Sequence, residues 1–274
     1  MNTILFGNGL NLLSNNDKWD SLVKTIETET SESKIPNTMQ FDVKLYSLKQ
    51  FTVDSEKQLK KAICKEMKNY NSNDIYDMIA ELHFENYITT NYDFTIQPAL
   101  MKAGYDVRHG YHKETIYSIN RFVEYEDDSA NNKKVWYIHG ELNRPNSIML
   151  SYKHYCDYTG KIIEYINNSC WSEESEIEYT KIQSWVDLFF CSNIYIMGLG
   201  LYYEEIDLWW LLSYRKRLKK LNPSLCTNQI IYFGECGPGK KELLNALGVE
   251  VVSSSQKEYI DKYKDYVDII SKRI

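Results

Sequence analysis

The amino-acid sequence predicts an α/β protein built on one mostly parallel β-sheet with helices on both faces. Two observations lead to this fold class. Short, continuous apolar runs recur along the 274 residues, as is typical of strands that are covered on both faces. Stretches with apolar residues at helical spacing lie between these runs, and such alternation of strands and helices indicates a parallel sheet.

The expected strands are seven in number. In chain order they are Thr3–Phe6, Tyr87–Thr89, Val135–Ile138, Ser147–Leu150, Ile194–Met197, Gln229–Phe233 and Val249–Val252. Apolar residues recur at helical spacing within 59–67, 182–189 and 209–218. Residues 255–274 are rich in Lys and Tyr and predict an amphipathic helix that packs with a solvated face.

Two regions interrupt the alternation, and both are expected to decorate a single domain that spans residues 1–274. The first is a helical insertion at about 29–86, which begins with the polar stretch TETSESKIPN. The second is a loop insertion at about 105–134, which contains the charged run EYEDDSANNKK. We expect neither region to be a separate folding unit. No internal repeat is visible.

Composition narrows the class of protein. Hydrophobic residues make up 43% and charged residues 26% of the chain, which is ordinary for a globular protein. The net charge of −6 argues against general nucleic-acid binding. The six cysteines form no C-x-x-C pair, which leaves a cysteine zinc site without support and suits reduced thiols in the cytoplasm. No apolar run approaches the roughly 18 residues of a membrane helix, so we expect a cytoplasmic protein without membrane contact.

A glycine pair directly follows the first expected strand, in GNGLN. Gly7 and Gly9 flank Asn8, as in the start of the dinucleotide fingerprint G-x-G-x-x-G, but Leu12 stands where the third glycine belongs. Two interpretations stay open. The turn either presents backbone amides to a phosphate or is a tight β-to-α turn without a ligand.

Polar or glycine residues also follow four further strands. These are Thr90, Asn91 and Asp93 in TNYD, His139 and Gly140 in HGEL, Gly198 and Gly200 in GLG, and Gly234 and Glu235 in GECGPGK. Each has a simple structural explanation: Asn91 is suited to cap a helix that starts near Phe94, and a lone histidine is usually structural. The carboxyl ends of parallel strands nevertheless meet at one edge of a sheet, where ligands bind. The convergence therefore predicts a nucleotide crevice.

The GECGPGKK stretch has the spacing of a phosphate-binding loop. Gly234, Gly239 and Lys240 match G-x-x-x-x-G-K, but Lys241 replaces the Ser or Thr that binds magnesium. Little chain follows in which to place a magnesium-binding Asp. A glycine-rich turn against an adenosine is the preferred interpretation, and an NTPase is disfavoured.

Four of these motifs together resemble the sirtuin-like domains of bacteria, especially those of anti-phage defence. They are GNGLN, TTNYD, YIHGEL and MGLGLYYEEID, in matching order and spacing over about residues 3–253. Two departures are informative. The four zinc cysteines and the Pro-Asp-Phe-Arg cofactor loop of the deacylating sirtuins are missing. The resemblance therefore implies the defence type, which cleaves NAD+ to nicotinamide and ADP-ribose without a metal.

The resemblance implies a Rossmann-like sheet that binds NAD+ as its substrate across the carboxyl edge. The residues expected to bind it are Gly7, Asn8, Gly9, Asn11, Thr90, Gly198, Gly200, Gly234 and Glu235. Gly7, Asn8 and Gly9 would pack on the pyrophosphate and adjacent ribose, and Gly234 and Glu235 would lie near the adenosine ribose.

The catalytic residues implied by the resemblance are Asn91, His139 and Asp93. The Asn91 amide would hold a ribose hydroxyl or the attacking water, and His139 would accept a proton, a task for which imidazole is suited at cell pH. Asp93 would hold the nicotinamide carboxamide or orient its neighbours.

An unrestrained NAD+ hydrolase would kill its host, so we expect control by a homo-oligomer or by a separate sensor subunit of the same defence operon. Three other functions stay open from the sequence. They are an NAD+-dependent protein deacylase, a non-catalytic module that senses NAD+ or ADP-ribose, and a nuclease or phosphate-loop NTPase. The missing zinc cysteines disfavour the first, and the acidic balance and Lys241 disfavour the third.

Overall fold

One mixed sheet forms the centre of the protein. The computed structural model describes residues 1–15, 53–111, 116–175, 177, 179 and 181–274. Within these residues the sheet has eight strands. The strands are β1 (Asn2–Phe6), β2 (Asn86–Thr89), β3 (Asp106–Tyr111), β4 (Phe122–Glu126), β5 (Asn132–Tyr137), β6 (Asn193–Met197), β7 (Ile230–Phe233) and β8 (Val249–Val252).

The helices of the described residues connect these strands. They are α1 (Leu12–Asn15), α2 (Val53–Met67), α3 (Asp74–Glu81), α4 (Ile96–Lys102), α5 (Tyr152–Asn167), α6 (Trp185–Cys191), α7 (Ile206–Leu221), α8 (Pro238–Ala246) and α9 (Tyr259–Ser271), with a short 3₁₀ helix at Pro145–Ser147. Polar side chains fix several starts: Asn73 accepts from the amides of Ile75 and Tyr76 at the start of α3, and Ser184 opens a capping box at α6.

The strand order is β3-β4-β5-β2-β1-β6-β7-β8. Strands β5, β2, β1, β6, β7 and β8 pair in parallel along this order, whereas β4 pairs antiparallel with both β3 and β5. The predicted α/β fold with a Rossmann-like, mostly parallel sheet is therefore confirmed. Strand β1 lies between β2 and β6, so the strand order reverses there: the strands that follow β1 in the chain lie first on one side of it and later on the other. The carboxyl end of β1 is the point where ligands bind in such sheets.

Both faces of the sheet are buried, which explains the continuous apolar runs. Successive side chains of a strand point to opposite faces. Leu5 belongs to the apolar cluster that includes α5, α6 and α7, whereas its neighbours Ile4 and Phe6 belong to the cluster that includes α3, α4 and α9. Helices thus cover both faces, as predicted.

The expected strand Ser147–Leu150 is wrong. Its residues form the end of the 3₁₀ helix and an irregular segment outside the sheet. The segment is buried because it packs on the turn after β5, where the amide of Met149 donates to the His139 carbonyl (3.0 Å). Gly140 permits this approach: it has φ +111°, and a Cβ there would lie 2.5 Å from the Ser147 carbonyl oxygen.

The two predicted insertions have distinct outcomes. The charged stretch 105–134 contains β3 and β4, which extend the sheet edge, and its acidic run turns the chain into β5, with Asp127 Oδ1 accepting from the amides of Ser129 and Asn131. In the helical insertion at 29–86, residues 29–52 lie outside the described residues, and the remainder forms α2, α3 and the start of β2. The single-domain organisation of residues 1–274 stays a prediction.

No helix among the described residues is long and apolar enough to span a bilayer.

Gly140→Ala is expected to destabilise the protein more than Gly104→Ala. Both glycines have φ values in the left-handed region, but a Cβ at Gly104 meets no atom within 4 Å. Gly104→Ala therefore carries only a backbone cost of about 1–3 kcal/mol. Gly140→Ala adds an overpacking cost of about 1–3 kcal/mol against Ser147 and Ile148. Chemical denaturation measures the difference, and equal losses would contradict the packing role of Gly140.

Candidate functional site

A cavity of about 740 Å³ lies at the carboxyl edge of the parallel strands. Its volume falls within the range of about 300–1,000 Å³ that is typical of small-molecule sites. Residues after β1, β2, β5, β6 and β7 contribute to its wall. Of the residues predicted from the sequence, those in the wall are Asn8, Gly9, Thr90, Asn91, His139, Gly198, Gly200, Gly234 and Glu235. Gly7, Asn11 and Asp93 are not part of the wall.

The glycines after β1 serve the contact between two loops. The Gly9 amide donates to the Gly198 carbonyl (2.7 Å), so it is already engaged within the protein. A Cβ on Gly9 would lie 2.6 Å from that carbonyl oxygen, and a Cβ on Gly7 would lie 2.7 Å from the Leu199 side chain. Gly198 itself has φ +65°. The glycines therefore let the ends of β1 and β6 approach closely, which accounts for them without a phosphate on the Gly9 amide.

Asn91 presents an unsatisfied amide at the cavity. The residue is 5% exposed, and its Nδ2 has no hydrogen-bond partner among the described residues. It does not cap the next helix: α4 begins at Ile96, and its N-terminal residue Thr95 is held by Asp93 instead. A buried amide without a partner costs free energy unless a ligand or water satisfies it. The geometry therefore favours a ligand-binding role for Asn91 over the capping role.

Asp93 and Asn11 form a buried polar network behind the wall. Asp93 Oδ2 accepts from Asn11 Nδ2 (2.8 Å), and its Oδ1 accepts from the Thr95 hydroxyl (2.5 Å). Asn11 Nδ2 also donates to Asn8 Oδ1 (3.0 Å), and Asn11 Oδ1 accepts from the Tyr76 hydroxyl (2.7 Å). Burial raises the pKa of Asp93, and the hydrogen bonds from Thr95 and Asn11 oppose that rise. The network holds Asn8, which lines the cavity. Asp93 therefore affects the cavity only through Asn11 and Asn8.

His139 is held by a carboxylate from a different element. Its Nε2 lies 2.8 Å from Oδ2 of Asp207 in the first turn of α7, and both residues are buried. An ionised carboxylate only accepts, so it assigns the imidazole hydrogen to Nε2 and leaves the lone pair on Nδ1. Nδ1 lies 3.4 Å from the Tyr155 hydroxyl, which is a long contact. His139 therefore carries a basic nitrogen that is little engaged within the protein.

Glu205 adds a carboxylate to the same part of the wall. It lies two residues before Asp207, lines the cavity, and its buried Oε2 has no hydrogen-bond partner among the described residues. Burial is the main cause that raises the pKa of Glu205, to about 7; the nearby His139 opposes this rise and Asp207 adds to it. Oδ1 of Asp207 is likewise buried without a partner. Glu205 thus offers a carboxylate oxygen to a ligand in the cavity, whereas Asp207 is not part of the wall.

The other end of the cavity is lined by aromatic rings and one ion pair. Glu235 Oε1 accepts from Lys262 Nζ of α9 (2.6 Å). The tyrosines of α9 in the wall are Tyr259, Tyr263 and Tyr266. Tyr259 donates to the Gly9 carbonyl (3.0 Å), which ties α9 to the loop after β1. The C-terminal helix is therefore part of the site, whereas the sequence predicted only a packing role for it.

Lys240 does not adopt the role of a phosphate-loop lysine. Its ammonium donates to the Gly200 carbonyl and lies 5.2 Å from the centre of the Tyr232 ring. Burial lowers the pKa of Lys240. Lys240 thus links the loops after β6 and β7 from outside the wall. This position gives no support to the NTPase interpretation.

Asp207, Glu205 and the tyrosines of α9 were not among the residues predicted for the site. Glu205 and Asp207 belong to YYEEID, the stretch that follows Gly198–Gly200, so closely spaced acids after a glycine-containing strand end were an available signal. The α9 tyrosines had no such signal, because only tertiary packing brings the C-terminal helix to the edge of the sheet.

No cluster of three or more potential metal ligands occurs within the described ranges. All six cysteines are free thiols.

Glu205→Gln is expected to stabilise the protein increasingly as the pH rises. The pKa of Glu205 is about 7 in the folded state against an ordinary 4.5, so folding favours its protonated form. That stability is present below pH 4.5 and is lost as the pH rises through 7. The difference in unfolding free energy between variant and wild type should grow by about 2–3 kcal/mol from pH 4.5 to pH 8. The exposed Glu242→Gln serves as control, and a difference that is independent of pH would contradict the prediction.

Comparison with known proteins bears on the middle of the chain. Residues 85–183 match the family model of the SIR2-like domain. The matched range begins just before β2 and includes Asn91 and His139, but not the loops after β1, β6 and β7. No curated protein matches the chain. Residues 85–183 are therefore similar to a SIR2-like domain, and domains of this kind bind NAD+.

Proposed function

We propose that this protein is an NAD+ hydrolase, which cleaves NAD+ to nicotinamide and ADP-ribose. The observation that carries the proposal is the juxtaposition of the unsatisfied Asn91 amide and the Asp207-backed His139 in one cavity. The cavity lies where nucleotides bind in parallel sheets, and the SIR2-like match covers both residues.

Cleavage of the ribosyl bond requires little acid catalysis. Nicotinamide departs as a neutral molecule and takes the bonding electron pair, while positive charge builds on the ribose as in glycoside hydrolysis. Water then adds to the ribosyl carbon and loses a proton. The protein must therefore position the ribose and water, accept that proton and accommodate the transient positive charge.

The side chains at the end of the cavity that contains Asn91 and His139, here called the catalytic end, match these tasks. Asn91 Nδ2 is a free donor in the wall and can hold a ribose hydroxyl or the attacking water. Nδ1 of His139 accepts the proton, directly or through the Tyr155 hydroxyl 3.4 Å away. Asp207 is a positioning residue, because it fixes the tautomer and ring orientation of His139. Asp93 supports Asn8 through Asn11 and has no direct role at the substrate.

The nicotinamide riboside half of NAD+ is assigned to the end with Asn91 and His139. The adenosine half is assigned to the end with Glu235 and the tyrosines of α9. Rings of Tyr and Phe suit the flat adenine base, and the Glu235 carboxylate suits ribose hydroxyl groups. The cavity is lined at both ends by groups that fit one extended dinucleotide.

We expect Asn91→Ala and His139→Ala each to lower nicotinamide formation from NAD+ by about 10²-fold or more. Asp207→Asn should also lower it, because an amide can donate to Nε2 and so stabilise the wrong tautomer. Chromatographic detection of nicotinamide measures the rates, and circular dichroism verifies folding. Full turnover by folded Asn91→Ala and His139→Ala would refute both roles. NAD+ binding by wild type without any nicotinamide would favour a sensor module instead.

We further propose that the protein is a cytoplasmic effector of anti-phage defence that depletes NAD+ on infection. An enzyme of this kind must be silent before infection. We therefore propose restraint through a homo-oligomer or a separate sensor subunit from its operon. This part of the proposal follows from the motif resemblance and from the danger of free NAD+ hydrolysis to the host.

Native mass spectrometry of the protein coexpressed with its genomic neighbours is expected to detect an oligomer or a complex. NAD+ consumption by the purified assembly should depend on an added phage component. A monomer that consumes NAD+ at full rate without any trigger would contradict this regulatory proposal but not the hydrolase activity.

A further inference from the structure

We propose that Glu205 is a catalytic carboxylate that lies against the nicotinamide riboside half of NAD+ and stabilises the ribosyl cation as its bond to nicotinamide breaks. This inference rests on the proposed NAD+ hydrolysis and deepens it by adding a residue to the site. Three observations lead to it: the unsatisfied oxygen of Glu205 in the cavity wall, the groups that surround this residue, and the charge of the substrate.

The carboxyl group of Glu205 is only partly satisfied by the described residues: a hydrogen bond with the backbone of Tyr202 lowers its pKa but does not offset the effect of burial. Glu205 immediately precedes α7, yet its side chain forms no capping hydrogen bond with the helix. Its Oε2 is buried without a partner, and the residue lines the cavity. The loop that carries it includes Leu201 with φ +46°, a conformation that is unfavourable for a leucine. A strained loop that directs an unsatisfied carboxyl group into a cavity is typical of a functional site.

Titratable groups from several elements surround Glu205. Those that act on it or are affected by its charge are His139 after β5, Asp207 on α7, Lys240 on α8, Tyr92 after β2, Tyr155 on α5 and Tyr232 on β7. Glu205 therefore lies at the end of the cavity that contains the proposed base. Lys240 is a cation in this group, and its ammonium donates a hydrogen bond to the Gly200 carbonyl rather than to Glu205.

The charge of NAD+ complements this end of the cavity. The nicotinamide ring is cationic in the substrate, and the positive charge passes to the ribose as the bond breaks. Among the described residues, Oε2 of Glu205 in the wall and Oδ1 of Asp207 next to it in the chain are buried without a hydrogen-bond partner. At the other end, the acid Glu235 is already paired with Lys262. A cation bound beside Glu205 favours the ionised form of this residue, so this end of the cavity suits the cationic half of NAD+.

The reaction balances with Glu205 as an electrostatic group that forms no bond. The bond between C1′ of the ribose and N1 of nicotinamide breaks, and the electron pair goes to N1. The ribosyl cation faces the Glu205 carboxylate, where fixed negative charge lowers its energy. Water adds to C1′, its proton passes to His139 and then to solvent, and the products are nicotinamide, ADP-ribose and one proton.

Proton release on binding tests the contact without catalysis. Burial holds the pKa of Glu205 at about 7, so about half of the empty sites carry a proton there at pH 7. A cation beside the carboxyl group favours ionisation. The probe is carbocyclic NAD+, in which a CH₂ group replaces the ribose ring oxygen, so that the cationic ring is kept and hydrolysis is blocked. NADH, whose nicotinamide ring is neutral, is the matched probe.

Calorimetric titration in two buffers of different ionisation enthalpy counts the protons. At pH 7 the wild-type protein should release up to about half a proton on binding carbocyclic NAD+ and almost none on binding NADH. Glu205→Gln should abolish the release, and the exposed Glu242→Gln should retain it. Equal release with both probes, proton uptake, or release that persists in Glu205→Gln would overturn the role of Glu205.

Kinetics provide the second readout. Glu205→Gln should lower kcat for nicotinamide formation by about 10²-fold, because the group acts mainly on the transition state. An unchanged kcat would overturn the inference and leave the proposed hydrolase intact. A wild-type protein that neither binds carbocyclic NAD+ nor forms nicotinamide would overturn both.

Discussion

The hydrogen bond between His139 and Asp207 organises the end of the cavity that contains His139. It joins the turn after β5 to the first turn of α7, two elements on different sides of β1, and both partners are buried. Losing one partner would leave the other polar group buried without compensation, which costs far more than the bond itself contributes. The bond fixes the His139 ring, and because Glu205 lies two residues before Asp207, it also fixes where that second carboxylate enters the cavity.

The central part of the fold was predictable because strands buried on both faces need apolar residues at every position. Six of the seven predicted strands lie within one to three residues of those observed. Ser147–Leu150 misled because it is just as apolar, yet its burial comes from packing on Gly140 rather than from strand pairing. Strands β3 and β4 escaped prediction because they lie at an edge, where alternating exposure permits charged residues such as Glu124 and Glu126.

The predictable part of the site is the part that topology dictates. Residues directly after parallel strands share one edge of the sheet, so Asn91 and His139 were expected to meet and do line one cavity. Tyr259 reaches the same cavity from a helix, and Asp207 reaches His139 from another helix. No pattern in a single sequence specifies how a helix is rotated against the sheet. Asp93 shows the converse: it follows β2 as expected, but its side chain contacts Asn11 and is not part of the cavity wall.

The glycines at the strand ends make the cavity possible by bringing backbone segments together, and this limits what they can do for a ligand. The Gly9 amide is bound to the Gly198 carbonyl, and the Gly200 carbonyl accepts from Lys240. The Gly9 amide is therefore not free to donate to a pyrophosphate. Side chains in the wall are left for recognition, and among the described residues the buried ones with an unsatisfied polar atom are Asn91 and Glu205. A donor suited to hydroxyl groups and an acid suited to a cation thus line one cavity, as the proposed binding of a positively charged riboside requires.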